Sequence, residues 1–214
     1  MNHHGFSRTR IKICGLQDEA ALEAAVSCGA DAVGFMLVPE SPRYIAAEEA
    51  LELMAMLPPM VTAVGVVRNL SVDEFCDLEQ TFPAPLMQLH GSESEKVVRS
   101  CGPGVIKAFK FDPRTIDAEL ARWSAIDEVD AILIDGSDGG EGAAFDWEAL
   151  AGRLDGVQTP VILAGGLNAE NVGEAIRIVR PFAVDVSSGV ESAPGVKDPD
   201  LIAAFCEAVH QAGR

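Results

Sequence analysis

Several short stretches of this chain end in residues able to move protons or to hold anions. Lys12-Ile13-Cys14-Gly15-Leu16 sets a thiol at the end of a β-branched run. A thiolate there can act as nucleophile or general base; a small buried apolar residue is the other reading of the same cysteine. Ala131-Ile132-Leu133-Ile134 runs into Asp135, a carboxylate too costly to bury alone, so it must be paired or turned towards a site. In Gln88-Leu89-His90-Gly91 polar groups alternate, and His90 reads as a group that orients its neighbours rather than as the proton carrier. Pro39-Glu40-Ser41-Pro42-Arg43-Tyr44-Ile45 stiffens a loop around Arg43, which can then serve as a fixed anion clamp or remain a solvated surface arginine. Two further loops read as phosphate cradles, with ordinary glycine turns as the other reading: Ala164-Gly165-Gly166-Leu167-Asn168, and Asp185-Val186-Ser187-Ser188-Gly189-Val190-Glu191. Glycines let backbone amides close around phosphate oxygens, and a helix N-terminus adds a favourable dipole.

These groups need a scaffold that brings the ends of distant strands together. Short apolar runs at residues 11–14, 31–37, 61–67, 86–89, 105–109, 131–134, 161–163 and 183–186 have the continuous hydrophobicity of strands buried on both faces. Helical stretches separate them at 19–27, 47–57, 72–80, 94–99, 116–123, 147–150, 169–179 and 199–212. Ser71 with Glu74 forms a capping box, Asn168 stands where an N-cap is expected, and Gly29 marks a helix stop. Eight strands alternating with eight helices predict an α/β fold, a single (β/α)8 TIM barrel, at about 27 residues per unit. A doubly wound open sheet seldom needs eight parallel strands in so short a chain. The expected organisation is a flexible N-terminus over residues 1–10 and one barrel domain over 11–214, with a mobile glycine-rich loop at 136–142. In such barrels the catalytic groups follow the strands, at the C-terminal mouth, and the loops after strands 7 and 8 hold phosphate.

The 214 residues are 48 % apolar and 23 % charged, with a formal charge of −17. That balance argues against a nucleic-acid partner, which calls for a basic footprint. No apolar run approaches a membrane span, so no membrane partner is expected. Five scattered cysteines without a C-x-x-C pair predict neither a disulfide framework nor a zinc site, and point to a reducing cytoplasm. Residues 1–10 lack the apolar core of a signal peptide, and His3-His4 has no further ligands to make a metal site.

The motifs resemble the phosphoribosylanthranilate isomerase family of tryptophan biosynthesis. The matching segments are Lys12-Ile13-Cys14-Gly15-Leu16, Gly29-Ala30-Asp31-Ala32-Val33-Gly34-Phe35, Ser41-Pro42-Arg43-Tyr44-Ile45, Gln88-Leu89-His90-Gly91 and Phe145-Asp146-Trp147, followed by the two phosphate loops. They run in order nearly end to end. The resemblance implies an Amadori rearrangement of N-(5′-phosphoribosyl)anthranilate with Cys14 as general base and Asp135 as general acid. It implies that Arg43, Gln88, His90 and Asp185 contact the substrate, with Arg43 on the anthranilate carboxylate, and that Gly165, Gly166, Ser188 and Gly189 hold the phosphate. No metal or organic cofactor is implied. Lys12 is a candidate for lowering the Cys14 pKa. The chain departs from the family at Ala143-Ala144, where a Lys-Thr pair is usual, at Glu141, and at Arg68, where an apolar residue is more common. Two other readings stay open: a paralogous isomerase of another aminated phosphosugar, for which an aspartate would replace Cys14, and a non-catalytic phosphosugar-binding barrel. Monomer and homodimer are both compatible with the sequence.

Overall fold

A computed structural model describes residues 8–136 and 146–213. Eight parallel strands close into a barrel in sequence order. They are β1 (Arg10–Cys14), β2 (Ala32–Met36), β3 (Thr62–Val67), β4 (Leu86–Leu89), β5 (Val105–Lys110), β6 (Val129–Asp135), β7 (Val161–Ala164) and β8 (Ala183–Val186). The helices between and after them are α1 (Glu19–Ser27), α2 (Ala47–Ala55), α3 (Val72–Thr81), α4 (Glu95–Ser100), α5 (Ile116–Ser124), α6 (Trp147–Ala151), α7 (Val172–Val179) and α8 (Pro199–Ala212). Closure comes from β1, which pairs with β2 through Lys12↔Ala32 and with β8 through Lys12↔Asp185. The predicted single (β/α)8 TIM barrel is the observed fold, and every predicted strand and helix overlaps an observed one.

Local chemistry accounts for the helix starts. The side chains of Asp18, Ser71, Ser94, Asp146 and Asp198 each accept from a backbone amide in the first turn of the helix that follows, satisfying donors a helix cannot pair internally. The Ser71–Glu74 capping box forms as predicted. Gly29 ends α1 at φ +89°, its amide donating to the Val26 carbonyl. Helix α7 is the exception, because it begins at Val172 instead of 169. Asn168 caps an intervening turn: its side chain accepts from the amides of Glu170 and Asn171, which delays the helix by three residues.

Strand alternation divides the core into two layers. Ile11, Ile13, Val33, Phe35, Leu89, Ile132, Ile134, Leu163 and Val184 pack outward against the helices. Val64, Ile106, Ala108, Ala131, Leu133, Ile162, Ala164 and Ala183 fill the barrel interior. Each fully buried large side chain contributes about 1.5–3 kcal/mol, so the two layers dominate stability. A short antiparallel hairpin, β9 (Glu191–Ala193) with β10 (Val196–Lys197), follows a 3-10 turn at Ser188–Val190; sequence patterning did not predict it. Strand β1 starts at Arg10, inside the stretch expected to be a flexible terminus, and Arg8 pairs with Asp31. Of the predicted mobile loop only Gly136 lies among the described residues; Glu141, Ala143, Ala144 and Phe145 lie outside them. No described helix is long and apolar enough to cross a membrane.

Candidate active site

The alternation that fills the barrel interior with alanine and branched aliphatic side chains continues towards the C-terminal strand ends, where on four of the strands the residue in step is Cys, Gln or Asp. Cys14 on β1, Gln88 on β4, Asp135 on β6 and Asp185 on β8 follow the inward register, and His90 lies one step past β4. All five line one cavity of about 900 Å³ at this mouth. Arg43, Gly165, Gly166 and Ser188 complete its wall. Sequence reasoning therefore located nine of the ten candidate residues on a common surface. Gly189 is not on the wall. A Cβ there would sit 1.9 Å from the Leu167 carbonyl oxygen, so this glycine permits the loop after β8 to close on the loop after β7. Gly165 and Gly166 adopt φ of +90° and +67°, which favours glycine at both positions.

The Cys14 end of the cavity is buried. Cys14 is 3 % exposed, and its Sγ occupies the space left by Gly34 of β2, where a Cβ would approach to 2.7 Å. Lys12 donates to Asp185 at 2.8 Å in a nearly dry ion pair. Burial, the largest influence, pushes the Cys14 thiol above its ordinary value; Lys12 and Lys197 oppose it and Asp185 adds to it. Lys12 thus acts in the expected direction without overcoming burial.

Arg43 is held rather than solvated. Its Nε and Nη2 donate to the two oxygens of Glu191 at 2.6 and 2.9 Å, a bidentate pair that fixes the guanidinium plane. The tight turn at Gly15 makes room for it, since a Cβ there would meet the Arg43 side chain at 2.8 Å. The Asp135 end is more open. Gln88 Nε2 donates to His90 Nδ1 at 2.9 Å, so the opposite ring nitrogen carries the proton and lies 3.5 Å from Asp135 Oδ2. His90 is thereby placed to orient Asp135. Gln88 Oε1 is buried and has no hydrogen-bond partner among the described residues.

Three charged groups escaped sequence reasoning. Lys107 points outward from β5, and its Nζ donates to Glu93 at 2.8 Å and to the carbonyls of Leu89, Gly91 and Ala108. Glu93 in turn accepts from the amides of Asn69 and Gly91, so the pair staples the loops that flank His90. Lys197 of β10 reaches back to Ser187 and Glu191. Only the odd-numbered position of Lys107 in an apolar strand could have signalled that it faces the helices. Among the described residues no three His, Cys, Asp or Glu side chains are grouped to hold a metal.

Fold and cavity together define a (β/α)8 barrel whose mouth offers proton-transfer groups, a fixed arginine and two glycine-rich loops. Comparison with known proteins narrows this. A family model described as N-(5′phosphoribosyl)anthranilate (PRA) isomerase matches residues 11–208. The N-(5′-phosphoribosyl)anthranilate isomerases of Methylibium petroleiphilum and Bordetella petrii are 41 % and 44 % identical, covering 96 % of this chain and 95 % and 96 % of theirs. The crystal structure of the Thermotoga maritima enzyme superposes with a TM-score of 0.86 at 39 % identity over 95 % of this chain and 99 % of that one. A phosphoribosyl anthranilate isomerase in complex with reduced 1-(o-carboxyphenylamino)-1-deoxyribulose 5-phosphate superposes at 0.84 with 38 % identity, over 95 % of this chain and 99 % of that one. The chain belongs to the N-(5′-phosphoribosyl)anthranilate isomerase family.

Proposed function

We propose that the protein converts N-(5′-phosphoribosyl)anthranilate to 1-(o-carboxyphenylamino)-1-deoxyribulose 5-phosphate, the isomerase step of tryptophan biosynthesis. The observation that carries this reading is that Cys14 at the end of β1 and Asp135 at the end of β6 enter one cavity from different sides of the barrel. An aldose-to-ketose rearrangement needs one donor and one acceptor on opposite sides of the sugar. Asp135 protonates the furanose ring oxygen while the aniline nitrogen lone pair drives the ring open to a Schiff base. Cys14, as thiolate, removes the C2′ proton, and the resulting enolamine tautomerises to the ketone.

The remaining walls suit the rest of the substrate. Glu191 occupies the Nε and Nη2 edge of Arg43, and the remaining Nη1 is the group we assign to the anthranilate carboxylate. Gly165, Gly166 and Ser188 supply the phosphate end, with Gly189 letting their loops meet. The unpartnered Gln88 Oε1 accepts from a substrate hydroxyl or amine, and Asp185 faces the sugar from its pair with Lys12. The reading carries a small phosphorylated substrate and no nucleic-acid or membrane partner; the cytoplasmic setting rests on five unpaired cysteines.

The test follows loss of anthranilate-type fluorescence on adding purified protein to freshly generated substrate. Turnover that disappears in both Cys14→Ala and Asp135→Ala, in folded proteins, is the expected result. A folded wild-type protein without turnover, or full activity in either variant, overturns the assignment.

A further inference from the structure

The β9–β10 hairpin carries a buried charge network that the proposed reaction does not yet use. Lys197 Nζ donates to Glu191 Oε1 at 2.7 Å, to the Ser187 carbonyl at 2.9 Å and to Ser187 Oγ at 3.2 Å. Ser187 Oγ donates in turn to the Cys14 carbonyl at 3.0 Å. One hydroxyl therefore separates the Lys197 ammonium from the backbone of the proposed base. Glu191 serves two cations at once, since the same oxygen that holds Lys197 accepts from Arg43 Nε at 2.6 Å.

Counting charge around Cys14 is informative because the surroundings are dry. The cations are Lys12 from β1, Arg43 from the loop after β2 and Lys197 from β10; the carboxylates are Asp185 from β8 and Glu191 from β9. Their side chains are 3, 15, 1, 9 and 4 % exposed in that order. Three cations face two carboxylates, which leaves one positive charge in surplus. His90 and Asp135 stand across the cavity at its more open end. A buried surplus charge is costly unless something balances it, and a thiolate at Cys14 does so.

We propose that Lys197 is a positioning residue for Cys14: held by Glu191 and Ser187, its buried ammonium provides the surplus positive charge that the thiolate form of Cys14 requires. The inference rests on Cys14 being the base of the proposed isomerisation and deepens that reading. Electrostatics run in the same sense. Burial raises the Cys14 thiol, and Lys197 is among the cations that act against it. Burial also pulls Lys197 itself down, while Glu191 and Cys14 pull it back up. The sequence that brings Lys197 here is the turn at Gly195, whose amide donates to Glu191 and whose missing side chain lets the hairpin lie against the Pro42 carbonyl.

The experiment measures the pH dependence of Cys14 alkylation by iodoacetamide, resolved from the other four cysteines by peptide mass mapping, in substrate-free protein. Removing the ammonium in Lys197→Met moves the Cys14 midpoint up by about one pH unit, a roughly tenfold lower thiolate fraction below the midpoint. Lys197→Arg restores it to within a few tenths of a unit. Glu191→Gln, which increases the surplus, moves it the other way. A merely structural role would not reverse sign between the two removals. An unchanged midpoint in folded Lys197→Met, or shifts of the same sign in Lys197→Met and Glu191→Gln, overturns the proposal. Turnover is read separately, so a wild-type protein without turnover but with the Lys197-dependent midpoint refutes the isomerase reading alone.

Discussion

Removing one partner of the Lys107–Glu93 pair is the sharpest test of how the barrel holds its mouth in shape. Both side chains are 2 % exposed and 2.8 Å apart, so solvent screening does not discount their interaction. In Glu93→Leu the ammonium keeps three carbonyl acceptors but loses its counter-charge, and the amides of Asn69 and Gly91 lose theirs. Stranding a buried charge costs about 3–5 kcal/mol. At roughly 2–4 °C per kcal/mol for a chain of this size, the melting temperature falls by about 6–20 °C. The double variant Glu93→Leu/Lys107→Met removes both charges and regains most of that loss, because an apolar pair of similar volume carries no desolvation penalty. Acidity gives an independent check. Burial raises the Glu93 carboxyl, but Lys107 and the backbone amides outweigh it and hold it below its ordinary value of 4.5. A depressed carboxylate stabilises above its unfolded value and loses that contribution as pH falls through its folded value. Wild type therefore gains an acid-sensitive limb below pH 4.5 that Glu93→Gln flattens. Differential scanning calorimetry at pH 7 and along an acid series reads both effects. A loss under about 1 kcal/mol in Glu93→Leu, or a double variant no better than the single, would refute the reasoning.

The remaining expectations concern space and reactivity. Gly34→Ala puts a methyl 2.7 Å from Cys14 Sγ; displacing the thiol lowers isomerase turnover about 100-fold while the circular dichroism stays native, and turnover within twofold of wild type would show that the thiol position is not critical. Gly189→Ala forces the loops after β7 and β8 apart, because its Cβ would meet the Leu167 carbonyl at 1.9 Å. Competitive inhibition by inorganic phosphate should weaken roughly tenfold, the loss of about one hydrogen bond to an anion, and an unchanged inhibition constant would remove these loops from phosphate binding. Burial pushes Cys101 up to about 11 and Cys206 up to about 12, whereas Cys76 is exposed. At pH 8 an aromatic disulfide reagent should label Cys76 promptly and the other two only on unfolding; fast labelling of folded Cys206 would contradict the packing of α8 on the barrel.

The barrel was legible because each strand is a short apolar run and five of the described helices open on an acid or hydroxyl that caps them. Cys14, Gln88, His90, Asp135 and Asp185 were legible because each lies at or within one residue of a strand's C-terminal end, where a polar residue breaks an apolar run. Alternation within a strand was harder to read. In β5, Ile106 and Ala108 face inward while Lys107 faces the helices, and a strand buried on both faces shows no polar side to reveal it. Lys197 was missed for another reason. It lies twelve residues beyond Asp185, on a hairpin too short to have a hydrophobic period, and its importance arises only when Gly195 turns it back under the mouth. Asn168 misled because one side chain can cap a turn as readily as a helix, and the two are identical in sequence.

The two ends of the cavity differ in a way that suits the chemistry proposed for them. At the acid end the side chains of His90 and Asp135 are 35 and 18 % exposed. A general acid must be reprotonated in every cycle, and contact with water supplies that proton. At the base end Cys14 is surrounded by paired charges that are themselves almost dry. Water there would stabilise a thiolate but also hydrate it and blunt its basicity, whereas fixed ammonium groups stabilise it without a hydration shell that must reorganise during proton abstraction. The cost is a set of buried charges, and each is met by a partner supplied from a different strand or loop. Closing the barrel is thus a condition for the chemistry: Lys12 meets Asp185 only where β1 pairs with β8, the seam at which the sheet becomes a cylinder.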